Sequence, residues 1–280
     1  MLDQISSSAI RARPVAALPI ADLVLGKPVA EAAELLPRLF NLCRVAQEVA
    51  ARAAFGLPQR TGWQAALREE ILREHLVKLC LKWPAAMGRT PLPLPRNWGA
   101  DEPALRRMLL GPTGCLPDTY DGFREQLSGS AGLWPLFHAI AKTFGPSEAI
   151  RDRLPLTDAA SIFANHLQEN SVAARHADHA VLRGIERRWG RGPLWSATAI
   201  AYDIAATLDG ALPAAVFLPG QAVVPAARGQ YGVTAQVERG RVAAFRRITP
   251  TDHLLAPNGP LDQSLATLPQ EGARALAPVV

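Results

Sequence analysis

Residues 230–250, "QYGVTAQVERGRVAAFRRITP", alternate apolar and polar side chains on both sides of Arg239-Gly240. A period of two belongs to strands, and Gly240 accepts the positive φ that a tight hairpin turn requires. Upstream the period changes. In residues 63–83, "WQAALREEILREHLVKLCLKW", Leu67, Ile71, Leu76 and Leu79 lie near one face, and arginines and glutamates cover the other. That is the helix pattern. Helical signals come first and the strand signal gathers late, so the two do not alternate. The expected class is α+β, predominantly helical, with a small C-terminal β-hairpin or sheet.

The rest of the chain fills in around these two segments. Residues 9–26 include "IRARPVAALPI" and "DLVLGK", which read as short strands or extended chain, with two prolines restricting them to edges. Residues 28–54 read as helix, with Pro37 as a break or a new first turn. Residues 84–103 hold five prolines and two glycines and form a loop. Short helices are expected at 102–110, 119–127 and 132–143, and a longer one at 194–209. Residues 157–188 read as helical on either side of a break near Asn170.

Composition narrows the function classes. Of 280 residues, 49% are apolar and 20% charged, the balance of an ordinary globular protein with a sizeable core. The apolar stretch "ATAIAYDIAATLDGALPAAVFLPG" is interrupted by Asp203 and Asp209 and does not read as a membrane span. The first residues, "MLDQISSSAIRARP", lack a basic start followed by an apolar run, so a cytoplasmic protein is expected. A net charge of +5 suits an acidic partner, but the basic residues are spread along helical faces as in "RGIERRWGRG". A solvated face is the expectation there, rather than a nucleic-acid site. The usual nucleotide, hydrolase and zinc-protease signatures are absent.

Three cysteines, Cys43, Cys80 and Cys115, are too scattered for a disulfide framework. Taken alone, Cys43 in "FNLCRVAQ" reads first as a small buried apolar residue, with the remainder of a metal motif as the alternative. Gln47 follows one turn later and either meets a ligand or braces the core. Cys80 belongs to an apolar helix face, and Cys115 to a loop. His176 and His179 are spaced for one helix face, and Asp178 or His166 is a conceivable further ligand, though no third ligand at proper spacing is identifiable. His75 and His138 read as core or surface histidines.

Two segments carry a resemblance. "FNLCRVAQEVAARAA" resembles the N-terminal metal motif of [NiFe]-hydrogenase large subunits, where a Cys-x-x-Cys is followed after three residues by His. "AARGQYGVTAQVERGRVAAFRRITPTDHLLAP", residues 226–257, resembles the Pro-Arg-Gly segment of the same family, which leads into a hairpin and a Pro-Thr-Thr-Trp-Asn stretch. The departures are Phe40 for the first cysteine, Gln47 for the histidine, Ala227 for the proline before Arg228-Gly229, and Asp252-His253-Leu254 after Pro250-Thr251. The family's closing Asp-Pro-Cys-x-x-Cys is missing from a sequence that ends "EGARALAPVV". This degenerate pattern looks like the HupK/HoxV group of hydrogenase expression and formation proteins. "LREEILREHLVKLCLKWP" and "GPLWSATAIAYDIAATLDG" are similar to that group as well.

The resemblance implies a trimmed large-subunit fold over residues 1–280 as one domain. Its parts are N-terminal strands at 9–26, a helical core at 28–209, a hairpin region at 221–257 and a tail at 258–280. It implies a non-catalytic maturation scaffold that holds or transfers an Fe(CN)2(CO) fragment, with no nickel. Cys43 matches the cysteine that bridges to iron, and a soft thiolate suits low-spin iron. Arg228 matches the arginine beside the cyanide ligands, where fixed N–H donors meet anionic acceptors. Thr251 matches a position that supplies a further hydrogen bond, and Gln47 would lie beside the cargo. Implied partners are the hydrogenase large-subunit precursor and maturation proteins of HypC and HypD type. The alternatives are a metal-free chaperone of the precursor, or a redox or metal enzyme built on Cys43 or on His176 and His179. Read without the resemblance, Arg228 anchors a loop and Thr251 belongs to a turn.

Overall fold

A computed structural model describes residues 18–39, 42–94, 98–99 and 101–268. The helices are α1 (Ile20–Val24), α2 (Val29–Leu35), α3 (Arg44–Ala54), α4 (Trp63–Leu76), α5 (Trp83–Ala86), α6 (Glu102–Leu110), α7 (Tyr120–Gln126), α8 (Trp134–Thr143), α9 (Ala180–Trp189) and α10 (Pro193–Leu208). Four strands follow, β1 (Val216–Leu218), β2 (Gln221–Ala226), β3 (Gly229–Glu238) and β4 (Arg241–Ile248), and then α11 (Pro250–Leu254) and α12 (Pro260–Ala266). The molecule is α+β, with one antiparallel sheet in the order β1-β2-β3-β4.

The predicted hairpin is β3–β4. Its turn holds Arg239 at φ 51° and Gly240 at φ 74°, the left-handed pair that suits a two-residue connection. The sheet is wider than the alternating pattern alone announces, because β2 adds "QAVVPA", buried along most of its length and without alternation. Strand β2 pairs with β3 from Gln221↔Thr234 to Ala226↔Gly229, so the short link Ala227-Arg228 between them is a tight turn at the sheet's end.

Helix α3 lies across this sheet. Its alanines Ala46, Ala50 and Ala54 pack with Val49 against Ala222, Val224, Tyr231 and Val233, with Leu67 and Ile71 of α4 closing the layer. Small side chains let helix and sheet backbones approach. The larger core is helical and centres on α10, whose Trp195, Ala197, Ala199, Ala201 and Ile204 are fully buried among α4, α8 and α9. A third cluster joins α1, α2, Phe55 and Val242.

The structure corrects three expectations. Residues 20–24 form helix α1 rather than strand, with Ile20 and Val24 buried four positions apart on one face; the remainder of the 9–26 reading up to residue 17 lies outside the described residues. Residues 157–171 are irregular rather than helical, because their backbone groups are satisfied by tertiary partners: Thr157 N–H donates to Glu169 O at 3.2 Å and Glu169 N–H to Pro155 O at 2.9 Å. A single 3-10 stretch, Val172–His176, precedes α9. The third correction falls within the helix expected over 63–83, which runs as α4, then a π-helical stretch Val77–Lys82, then α5.

Candidate functional site

Cys43 is the residue before α3 and stands in the left-handed region at φ 53°, ψ 39°. A non-glycine residue held there needs support from its surroundings. Gln47 provides part of it. Its backbone N–H donates to Cys43 O at 3.0 Å, and its side-chain Nε2 donates to Leu42 O at 2.9 Å. Glu70 of α4 provides the rest, since its carboxylate accepts from Val45 N–H at 2.8 Å and Ala46 N–H at 3.1 Å. These are first-turn amides of α3 with no partner inside the helix. The side-chain amide oxygen of Gln47, Oε1, is buried without a hydrogen-bond partner among the described residues.

The Cys43 side chain packs against the α3–sheet cluster that includes Ala227 and Tyr231. A backbone hydrogen bond from Ala227 reaches its sulfur, and Arg228 lies close enough to act on it electrostatically. The thiol is pushed up to about 11, first by burial and then by the Glu70 carboxylate; Ala227 and Arg228 pull the other way. It is therefore protonated at neutral pH.

Arg228 sits in the β2–β3 turn, exposed, with no hydrogen bond or ion pair among the described residues. Its turn is bolted from below. Arg175 donates to Gly229 O at 2.6 Å and to Ala226 O, and its other nitrogen donates to Asp203 Oδ2 at 2.7 Å. Asp203 also takes His75 Nε2 at 2.8 Å and His176 Nε2 at 2.9 Å. Burial opposes ionisation of this carboxyl, but Arg175 and the two imidazoles outweigh it and hold Asp203 well below the usual carboxylate range. Asn170 completes the support, its Oδ1 accepting from Gln230 N–H at 2.7 Å. Gly229 is at φ +147°, and a Cβ there would come within 2.5 Å of Asn170 O and Oδ1.

Thr251 lies in the first turn of α11, which starts with a capping box between Thr249 and Asp252. Arg228 and Thr251 line one cavity of about 370 Å³, together with Lys78, Trp83, Asn170 and Ser171. The structure thus joins Cys43 to Gln47 and to the Arg228 turn, and joins Arg228 to Thr251. Phe40 lies outside the described residues.

The remaining candidates are occupied elsewhere. His176 is bound to Asp203, whereas His179 caps α9, its Nδ1 accepting from Val181 N–H at 3.3 Å, and its ring lies tilted against Tyr202 with centroids 4.3 Å apart. The two rings do not converge. Cys80 is buried in the helical core, its thiol raised to about 12 by burial, and Cys115 is exposed. His75 is a core residue and His138 is exposed.

Sequence reasoning missed Glu70, Lys78 and Asp203 as members of this region, and left Glu169 and Arg175 without a role. Each of the first three is a charged residue on an apolar face: Glu70 beside Ile71, Lys78 inside "LVKLCL", Asp203 inside "ATAIAYDIAATL". A charge in such a position needs a partner, and that signal was there to be used. Glu169 is paired with Arg151 through two contacts, Oε2 to Nε at 2.7 Å and Oε1 to Nη2 at 3.2 Å.

No family model matches the sequence. Over 272 residues, 97% of this chain and 89% of the relative, it is 46% identical to the hydrogenase expression/formation protein HupK of Rhodobacter capsulatus. The chain belongs to the HupK family. Identity at this level over nearly the whole length spans both segments that build the site, from Cys43 on α3 to the Arg228 turn. No helix of this HupK-family chain, among the described residues, is long and apolar enough to cross a membrane.

Proposed function

We propose that this chain acts in hydrogenase formation as a non-catalytic scaffold that holds an Fe(CN)2(CO) fragment and passes it to the large-subunit precursor. The relative's name, a hydrogenase expression/formation protein, supports the general role. One observation carries the specific one: the Cys43 thiol and the Arg228 turn, distant in sequence, share one place in the fold. The donor set fits such a cargo. A single thiolate is a soft ligand for low-spin iron, and an unpaired guanidinium offers N–H groups to cyanide nitrogens. Thr251 is a further donor across the cavity. Loading requires the Cys43 proton to leave, because the thiolate and not the thiol binds metal. One protein thiolate also suits a cargo that must be released. The precursor and maturation proteins of HypC and HypD type are the partners in this reading.

A second reading, a metal-free chaperone of the precursor, is favoured by the packing of Cys43 and its raised thiol pKa. Infrared spectroscopy separates the two. Protein purified anaerobically from cells that express the maturation machinery is expected to show cyanide and carbonyl stretching bands, and a Cys43→Ala variant is expected to lack them. Bands in neither protein would leave the chaperone. Bands in both would remove Cys43 as the anchor.

A further inference from the structure

Lys78 has no salt bridge or hydrogen bond among the described residues, and it faces the cavity that Arg228 also lines. It lies in the π-helical stretch Val77–Lys82, a distortion of α-helical backbone that recurs at functional sites. Its ammonium is held over the Trp83 ring, 5.3 Å from the centroid. Among the charged residues lining the cavity, Arg151 and Glu169 neutralise each other. Lys78 and Arg228 remain, two cations close enough to repel one another; Glu74, which does not line the cavity, acts on Lys78 in the opposite sense but less than Arg228 does. Desolvation and the repulsion from Arg228 push the Lys78 ammonium down to about 8. Two like charges turned into one cavity cost stability unless something anionic enters between them.

We infer that Lys78 and Arg228 form a binding site for a small anion, with Trp83 holding the Lys78 ammonium toward the cavity. The cavity, about 370 Å³, lies at the lower end of small-ligand pockets and admits a small anion or a compact metal complex. The Thr251 hydroxyl is a neutral donor on the same wall. This deepens the reading given under Proposed function and rests on it only for the anion's origin. Iron-bound cyanide is one source of the required charge and donor-accepting nitrogen, and a free inorganic anion is the other.

The test is titration of the purified full chain with thiocyanate, followed by calorimetry and by its C–N stretching band. Saturable binding is expected in the wild type, weakened about tenfold or more in Lys78→Met and in Arg228→Met, as befits loss of one charge-assisted contact. Lys78→Arg should retain binding, and Lys142→Met, an exposed lysine elsewhere, should not alter it. Thiocyanate is titrated into protein that holds no iron, so this site stands even if no iron is carried. No saturable binding in the wild type, or unchanged binding in Lys78→Met, would overturn the inference. A second arm assigns the source: if cyanide bands of cargo-loaded protein move in Lys78→Met, the ligand is iron-bound cyanide. If those bands stay while thiocyanate binding is lost, the site takes a free anion.

Discussion

Arg175 holds together more of the site than any residue that faces the cavity. Its guanidinium spans the Asp203 carboxylate on α10 and the carbonyls of Ala226 and Gly229, so one planar fork ties the helical core to the turn carrying Arg228. Lysine lacks that fork and cannot serve all three acceptors in the same geometry. Removing Arg175 leaves the Asp203 carboxylate buried without its closest full charge. Arg175→Ala is expected to lower unfolding stability by about 3–5 kcal/mol in denaturant titrations. The same variant should speed alkylation of Cys43, because Ala227 and the adjoining turn lose their anchor; an unchanged rate would mean that the strand pairing and Asn170 hold the turn without it.

The N-terminus of α3 shows how one helix caps another. Cys43 supplies no side-chain cap, and its left-handed backbone turns the chain into the helix while Glu70, from α4, accepts the amides of Val45 and Ala46. The carboxylate that secures the helix also raises the neighbouring thiol. Glu70 is itself raised by burial, with the two amides pulling it back. Glu70→Gln removes the charge and keeps one acceptor. Its expected effect is a lower Cys43 pKa, read as a shift of the alkylation-rate pH profile toward lower pH. The accompanying loss of stability should be about 1 kcal/mol, the size of a helix cap. A profile that does not move would show that burial alone sets the thiol.

Across the molecule, His75 on α4, Arg175 and His176 in the 3-10 stretch, Asp203 on α10 and the sheet-end turn form one buried polar network. Its stability depends on pH in a definite direction. Burial lowers the His75 pKa below its ordinary value of 6.5, with Asp203 opposing and Arg175 adding. Below 6.5 the unfolded chain therefore takes up a proton that the folded chain refuses, and stability falls as pH falls. Asp203 adds to this at stronger acid: its depressed pKa gives stability that is present above the unfolded value of 3.8 and lost as pH drops below it. The thermal midpoint is thus expected to decrease from pH 7 to pH 5, with a shallower slope in His75→Gln. Equal slopes would place the pH dependence in other groups.

Short-range patterning was enough for much of this fold. The period of 3.6 announced α4, the short helices at α6, α7 and α8, and the buried α10, while the period of two with Arg239-Gly240 announced β3 and β4. These elements carry their own signal because one face is apolar and the turn residues suit the turn. Pattern reading failed where the partner is remote. Helix α1 is too short to show a period, and residues 157–171 look helical only until Glu169 and Asn170 are seen to bond to Pro155 and Gln230. For the site, the sequence singled out Cys43, Gln47, Arg228 and Thr251 by resemblance, and the charges Glu70, Lys78 and Asp203 were visible as misfits in apolar runs. What it could not contain is which of these charges is neutralised. Asp203 and Glu169 meet arginines from other elements, whereas Lys78 and Arg228 meet at one cavity whose carboxylate, Glu169, is already paired, and only the packing of helix against sheet decides that difference.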